Sequence, residues 1–143
     1  MGGSSGGGIS TLDLAQITKA ANERIQQAFA RERKILFVCD AKEQKRLLEK
    51  ISKTDALKSI DFDCVVNKED IDAEKVKEFS LVVNYVERSH DHEAINQAIQ
   101  IATSQRMNCI FVRGEDQSPV PQYVLQYRIR SLSWQNLVDL LRS

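Results

Sequence analysis

Apolar residues recur along this chain with two different periods, and the period switches at regular intervals. From Ser10 or Thr11 to about Arg33, Leu14, Ile17, Ala21, Ile25 and Ala28 return every three or four residues, a spacing that puts them on one helical face. Lys19, Asn22, Glu23, Gln26 and Gln27 occupy the other face, so this helix is expected to be half buried. Residues 35–39 are continuously apolar, which suits a strand covered on both sides. A helix is predicted over 43–52 with Leu47, Leu48 and Ile51 inward, a second strand over 62–66, a short helix over 70–79 built on Ile71, Val76 and Phe79, and a third strand over 81–86. Residues 91–105 form the clearest internal helix, with Ile95, Ala98, Ile99 and Ala102 on one side. A fourth strand over 109–112 precedes a loop containing Gly114, Pro119 and Pro121. A fifth strand is expected over 123–129, and a last helix is capped by Ser133 and buries Trp134, Leu137, Val138 and Leu141.

Strands separated by helix-length segments need crossover connections, which run right-handed over a parallel sheet. The pattern therefore predicts an α/β, Rossmann- or flavodoxin-like three-layer sandwich of about five mostly parallel strands. The expected strand order is 2-1-3-4-5, with an extra N-terminal amphipathic helix. Ligands in such sheets sit beyond the carboxyl ends of the strands, near the switch between strands one and three. That edge comprises residues 40–43, Asn67, 84–91 and 113–117. Its polar side chains Asp40, Lys42, Asn84, Ser89, His90, His92 and Arg113 are the ligand-binding candidates.

Composition adds constraints. At 143 residues, 42% hydrophobic and 28% charged, the chain has the size and make-up of one globular domain. Twenty basic and 20 acidic side chains cancel, which disfavours nonspecific binding to nucleic acid or acidic membranes. No apolar run approaches the roughly 20 residues of a membrane span. The N-terminus lacks the basic-then-apolar order of a secretory signal, so no membrane association and a cytoplasmic location are expected. Residues 1–8 hold five of the six glycines and read as a flexible tag or linker. Residues 9–33 then form the N-terminal helix and 34–143 the α/β domain, an arrangement suggesting a piece of a larger protein. Cys39, Cys64 and Cys109 lie singly in apolar runs and read as buried reduced thiols, with a reactive Cys39 the main exception.

The motifs at the ligand edge depart from those of enzymes. A dinucleotide site needs glycines after the first strand so that a pyrophosphate can approach the helix N-terminus. That turn here runs Cys39-Asp40-Ala41-Lys42-Glu43-Gln44-Lys45, without glycine and with two carboxylates. Cysteine-dependent phosphate chemistry uses a Cys-x5-Arg loop, but Lys45 stands at that spacing and Arg46 one residue beyond. Asp40 and the segment 127–133 resemble response-regulator receiver domains. The position of that family's phosphorylated aspartate is taken here by Asn84, which implies at most a pseudo-receiver.

The run from Leu81-Val82-Val83 through Glu93-Ala94-Ile95-Asn96-Gln97-Ala98-Ile99 to Cys109-Ile110-Phe111-Val112 resembles the NAD-binding domain of siroheme synthases, the precorrin-2 dehydrogenase family. That resemblance implies a divergent NAD(P)-dependent oxidoreductase. Ser89-His90-Asp91-His92-Glu93 is a cluster of titratable side chains. Its histidines could meet a metal or a phosphate, while Asp91 could cap the next helix. Two histidines are too few for a closed metal site, so no metal ligand is assigned. Lys34, Lys42, Lys45, Arg46 and Lys50 make a basic run interrupted by Glu43 and Glu49. Nucleic-acid binding would require Arg113, Arg128 and Arg130 to join that surface.

With no catalytic residue and no cofactor assigned, the expected function is that of a noncatalytic regulatory or interaction module within a larger protein. It would bind a small ligand or a protein partner, including a second copy through the N-terminal helix. The oxidoreductase and a nucleic-acid-binding module are the alternatives.

Overall fold

The computed structural model describes residues 11–142; the glycine-rich residues 1–8 and Ser10, where the helix was expected to begin, lie outside them. Helix α1 (Thr11–Arg31) leads into strand β1 (Lys34–Val38), helix α2 (Gln44–Ser52) and strand β2 (Asp61–Val65). Helix α3 (Ala73–Lys77), strand β3 (Leu81–Val86), helix α4 (Glu93–Ser104) and strand β4 (Cys109–Arg113) follow. Helix α5 (Gln122–Gln126), strand β5 (Arg130–Ser133) and helix α6 (Trp134–Arg142) complete the described residues. Among these residues, five strands form one sheet in the order β2-β1-β3-β4-β5, and every neighbouring pair is parallel. This is the expected Rossmann- or flavodoxin-like order.

Alternation along the strands divides the core into two layers. Ile35, Phe37, Leu81, Val83, Tyr85, Ile110 and Val112 face a layer closed by Ile25 and Phe29 of α1, Leu47 and Ile51 of α2, and Leu137 and Leu141 of α6. Leu36, Val38, Val82, Val86 and Phe111 face the other, closed by Val76 of α3, Ala94, Ile95, Ala98, Ile99 and Ala102 of α4, and Val124 of α5. The alanines of α4 let that helix lie close to the sheet, because a methyl group fills little of the interlayer space. The central strand β3 is buried at all six positions, whereas β2, at the sheet edge, is covered only towards its carboxyl end.

The structure corrects several local expectations. Residues 123–129 are not the fifth strand. Tyr123, Leu125, Tyr127 and Ile129 alternate as a strand face would, yet the chain turns helical directly after Pro121. In α5 the Tyr123 and Tyr127 rings stack at 5.6 Å, Val124 is buried and Leu125 is 69% exposed. The helix stops at Arg128, whose φ of 53° is left-handed, as Ile129 N donates to Val124 O at 2.9 Å. That six-residue closure is the usual way a helix ends on a left-handed residue; here it frees Arg130–Ser133 to add the last strand. The predicted helix over 70–79 shrinks to a 3₁₀ turn (Lys68–Asp70) and α3, started by Asp72 Oδ1 accepting from Lys75 N at 2.8 Å. Leu48 points to solvent, and Trp134 is only half buried.

Ser133 does cap the last helix, its Oγ accepting from Asn136 N at 3.1 Å. Among the described residues no helix is long and apolar enough to cross a membrane.

Candidate functional site

The carboxyl ends of β1 and β3 converge at the switch in strand order, and the residues just beyond them are tied together. Asp40 leaves β1 as the cap of a 3₁₀ turn, its Oδ1 accepting from Lys42 N at 2.8 Å. Its other oxygen accepts from Ser89 Oγ at 2.9 Å, joining the β1 turn to the loop after β3. Glu43, three residues on, is 2% exposed. Its Oε1 accepts from Glu87 N at 3.0 Å, and its Oε2 from Arg88 N at 2.6 Å and Ser89 N at 3.1 Å. Three successive backbone amides thus converge on one carboxylate. Such a nest of N–H groups is the kind of structure that binds a ligand's phosphate in related folds. In this protein the anion held there is its own side chain.

The rest of the loop closes on itself. Ser89 Oγ also accepts from Asp91 N at 3.2 Å. His92 Nε2 donates to Ser89 O at 2.9 Å, since a carbonyl can only accept. The histidine therefore binds the serine's carbonyl rather than its hydroxyl, and Ser89, His92 and Asp40 do not form a proton relay. Asp91 reaches Glu93 N only at 3.4 Å, and His92 occupies the cap position of α4 without a side-chain cap bond.

Beside this lock, on the α4 side, a cavity of about 260 Å³ is lined by residues that include Asp40, Lys42, Asn67, Lys68, Asp91 and Glu93. Lys68 pairs with Glu93 at 3.4 Å. Carboxylates outnumber cations around the cavity, which suits a cationic or neutral group better than a phosphate. A wider cleft of about 700 Å³ lies between the β3 and β4 loops, among Glu87, Arg88, His90, Glu115, Asp116, Gln117 and Pro119. Arg88 spans its mouth to Glu115, with N···O distances of 3.3 and 3.4 Å.

The structure brings Asp40, Lys42, Ser89 and His92 to one edge and places His90 at the neighbouring cleft. Asn84 and Arg113 lie apart from them. Asn84 is fully buried beneath the sheet's α4 face, its amide donating to Ile110 O at 3.1 Å and to Cys109 Sγ at 3.2 Å while its Oδ1 has no partner. Arg113 turns to β5 and donates to Ser131 Oγ at 3.0 Å.

Two features of the site were not anticipated. Asp40-x-x-Glu43 has the form of a capping box, in which the glutamate would reach back to its own turn. The signal was legible, but its partner is the distant β3 loop. The second feature is a polar network on the α2 side. Tyr85 donates to Glu87 Oε2 at 2.8 Å, Arg46 pairs with Glu87 at 3.5 Å, and Lys50 Nζ donates to Tyr85 Oη at 3.3 Å. The Lys50 ammonium lies over the Tyr85 and Trp134 rings, 5.5 and 5.3 Å from their centroids, and Trp134 Nε1 donates to Thr54 Oγ1 at 3.3 Å. Burial pushes the Tyr85 phenol up, and the adjacent Glu87 raises it further, so Tyr85 stays protonated and serves as a donor. Gly114 makes this packing possible: a Cβ there would lie 2.5 Å from Glu87 Cγ and 2.6 Å from Tyr85 Oη.

Helix α1 divides into two halves. All described side chains from Leu14 to Ala20 are exposed, with Leu14 at 52% and Ile17 at 56%. Ala21 and Ala28 are half buried, while Ile25 and Phe29 enter the core. Arg130 of β5 donates to Asn22 Oδ1 where the helix meets the domain.

No protein-family model and no curated protein matches this chain. Among solved structures, a similar chain is the solution NMR structure of a de novo designed protein with a P-loop NTPase fold, 20% identical, with a TM-score of 0.42 over 89% of this chain and 83% of that one.

Proposed function

We propose that this chain is a noncatalytic Rossmann-like interaction module that pairs with a second copy of itself through the first half of α1. The observation that carries this reading is one apolar stripe with two fates. Leu14, Ile17, Ala21, Ile25 and Ala28 share a helical face, but the face is buried only from Ala21 onward. A second α1 crossing antiparallel near Ile17 and Thr18 would set each Leu14 opposite the partner's Ala21, large against small, as a two-fold contact requires. Burying the exposed parts of Leu14 and Ile17 contributes about 1 kcal/mol per side chain, which implies a dimer that dissociates on dilution.

The occupied state of the switch-point loop supports a noncatalytic role over the nicotinamide reading. The amides at 87–89 are held by Glu43, and the β1 turn has no glycine, so a pyrophosphate would have to displace a buried carboxylate. The nucleic-acid reading has less support still, because Arg113 and Arg130 are engaged with Ser131 and Asn22 instead of extending the basic run on α2.

Sedimentation velocity over a concentration series tests the proposal. The unaltered chain should shift from monomer to dimer as concentration rises, and the Leu14→Asp/Ile17→Asp variant should stay monomeric with an unchanged Tm. A chain that remains monomeric throughout, or a variant that dimerises equally well, refutes it.

A further inference from the structure

At the sheet edge, β2 lies beside β1 with Cys64 opposite Phe37. Cys39, one residue past the end of β1, packs on the same side of the sheet. The two sulfurs are 3.9 Å apart and share a hydrogen bond. Cys64 is half buried on an edge strand, whereas Cys39 is sealed. We propose that Cys64 and Cys39 are an oxidant-responsive pair, in which a hydroperoxide oxidises Cys64 and Cys39 resolves it as an intrachain disulfide.

The chemistry follows from the difference in environment. The hydrogen bond from Cys39 lowers the Cys64 thiol against the opposing effect of burial. The same bond pushes Cys39 up, and burial and the charges of Glu43 and Asp40 add to it. Cys64 is the sulfur with access to solvent, whereas Cys39 is sealed beside the carboxylates of Glu43 and Asp40, so Cys64 is the one that ionises and meets the oxidant. Its thiolate attacks the peroxide; the O–O bond breaks, Cys64 becomes a sulfenic acid, and the departing alkoxide leaves as the alcohol after taking up a proton. The Cys39 sulfur then attacks the sulfenyl sulfur. The S–S bond forms, the S–O bond breaks, and hydroxide leaves as water with the Cys39 proton. The dithiol loses two electrons and the peroxide gains them.

Closure reaches the switch-point lock. Cys39 lies two residues along from the position opposite Cys64, so strand spacing and rise put their Cα atoms roughly 8 Å apart, beyond the usual limit of about 7 Å for a disulfide. The backbone must therefore move at the end of β1, and the bond from Cys39 N to Val65 O, 3.2 Å in the dithiol state, must yield. Asp40 and Glu43 follow immediately. Drawing Cys39 towards β2 pulls on the turn whose carboxylates hold Ser89 Oγ and the amides at 87–89. Oxidation at the edge is thereby transmitted to the crevice.

Hydrogen peroxide applied to the folded chain at neutral pH, followed by alkylation and peptide mass mapping, tests this. Cys109 is an internal control, because burial pushes its thiol up to about 12 and the Asn84 amide only partly opposes the rise, leaving it roughly 10³-fold less thiolate than an ordinary cysteine. The expected product is a Cys39–Cys64 disulfide with Cys109 still free, reversed by dithiothreitol and accompanied by faster amide exchange at 87–89. Cys64 should react at least about 100-fold faster than Cys109. In Cys39→Ser, dimedone should capture a sulfenic acid on Cys64 that does not accumulate in the unaltered chain. Equal reactivity of Cys64 and Cys109, or the same accumulation of sulfenic acid with and without Cys39, overturns the proposal.

Discussion

Replacing Glu43 with glutamine tests the central feature of the crevice, because it removes one charge and exchanges one acceptor for a donor without altering size. The amide oxygen can take the place of Oε2 and keep the bonds from Arg88 N and Ser89 N, which are 2.6 and 3.1 Å in the parent. The amide nitrogen then faces Glu87 N, which now donates to Oε1 at 3.0 Å, so two donors confront each other. Leaving a buried N–H unpaired costs about 1–3 kcal/mol, and the two surviving bonds lose the strength that a charged acceptor gives them. One term opposes these losses, since glutamine has no buried charge to desolvate. With three backbone donors already compensating the carboxylate, the losses should dominate, giving a net destabilisation of about 2–4 kcal/mol, a large part of the ~5–15 kcal/mol typical of a domain. Urea unfolding followed by Trp134 fluorescence measures this directly, and hydrogen exchange at 87–89 locates it. An unfolding free energy within about 0.5 kcal/mol of the parent, with exchange at those amides unchanged, would show that the nest does not depend on the carboxylate charge.

Two further outcomes follow from the packing. Gly114→Ala should lower stability by about 1–3 kcal/mol through overpacking, because the new methyl group meets Glu87 Cγ and Tyr85 Oη. Trp134, whose ring lies edge-on to Tyr85 at 5.9 Å, should report the displacement in its emission, and unchanged emission and Tm would contradict the close approach. Asp63 on β2 is held below the ordinary carboxylate value of 3.8 chiefly by its hydrogen bond from Lys75. The folded state thus binds fewer protons there than the unfolded chain, so the contribution is complete above that value and is lost as pH falls through the lower folded value. Asp63→Asn should flatten the acid limb of the stability-pH curve in low salt, and an identical limb would remove the pair from the account.

How much of this could be read in advance depended on whether the deciding interaction was local. The continuous apolar runs at 35–39 and 81–86 and the three-four spacing of Ile95, Ala98, Ile99 and Ala102 are local patterns; they predicted the central strands, α4 and a parallel sheet, and the structure has them. The strand order also placed the turns after β1 and β3 next to each other at one end of the sheet. Residues 123–129 failed the same treatment because alternation there coincides with strong β-formers. Their helical state is set by the proline start, the left-handed Arg128 and the seat of Val124 against α4.

The sequence by itself determined the fold class, the amphipathic character of the first helix and the absence of a glycine-rich phosphate loop, since each depends on residue types at short fixed spacings. Only the tertiary structure decided that Glu43 reaches 44 to 46 residues ahead to the amides at 87–89, that Asn84 turns into the core while Ser89 reaches Asp40, and that the stripe on α1 is buried only from Ala21 onward. A short polar side chain selects its partner from whatever the folded chain brings within about 3 Å, and periodicity carries no information about that choice. The two sulfurs at the sheet edge illustrate the same limit: Cys39 and Cys64 are 25 residues apart in sequence, yet their sulfurs are 3.9 Å apart in space because β1–β2 pairing puts both side chains on one side of the sheet, two residues out of register.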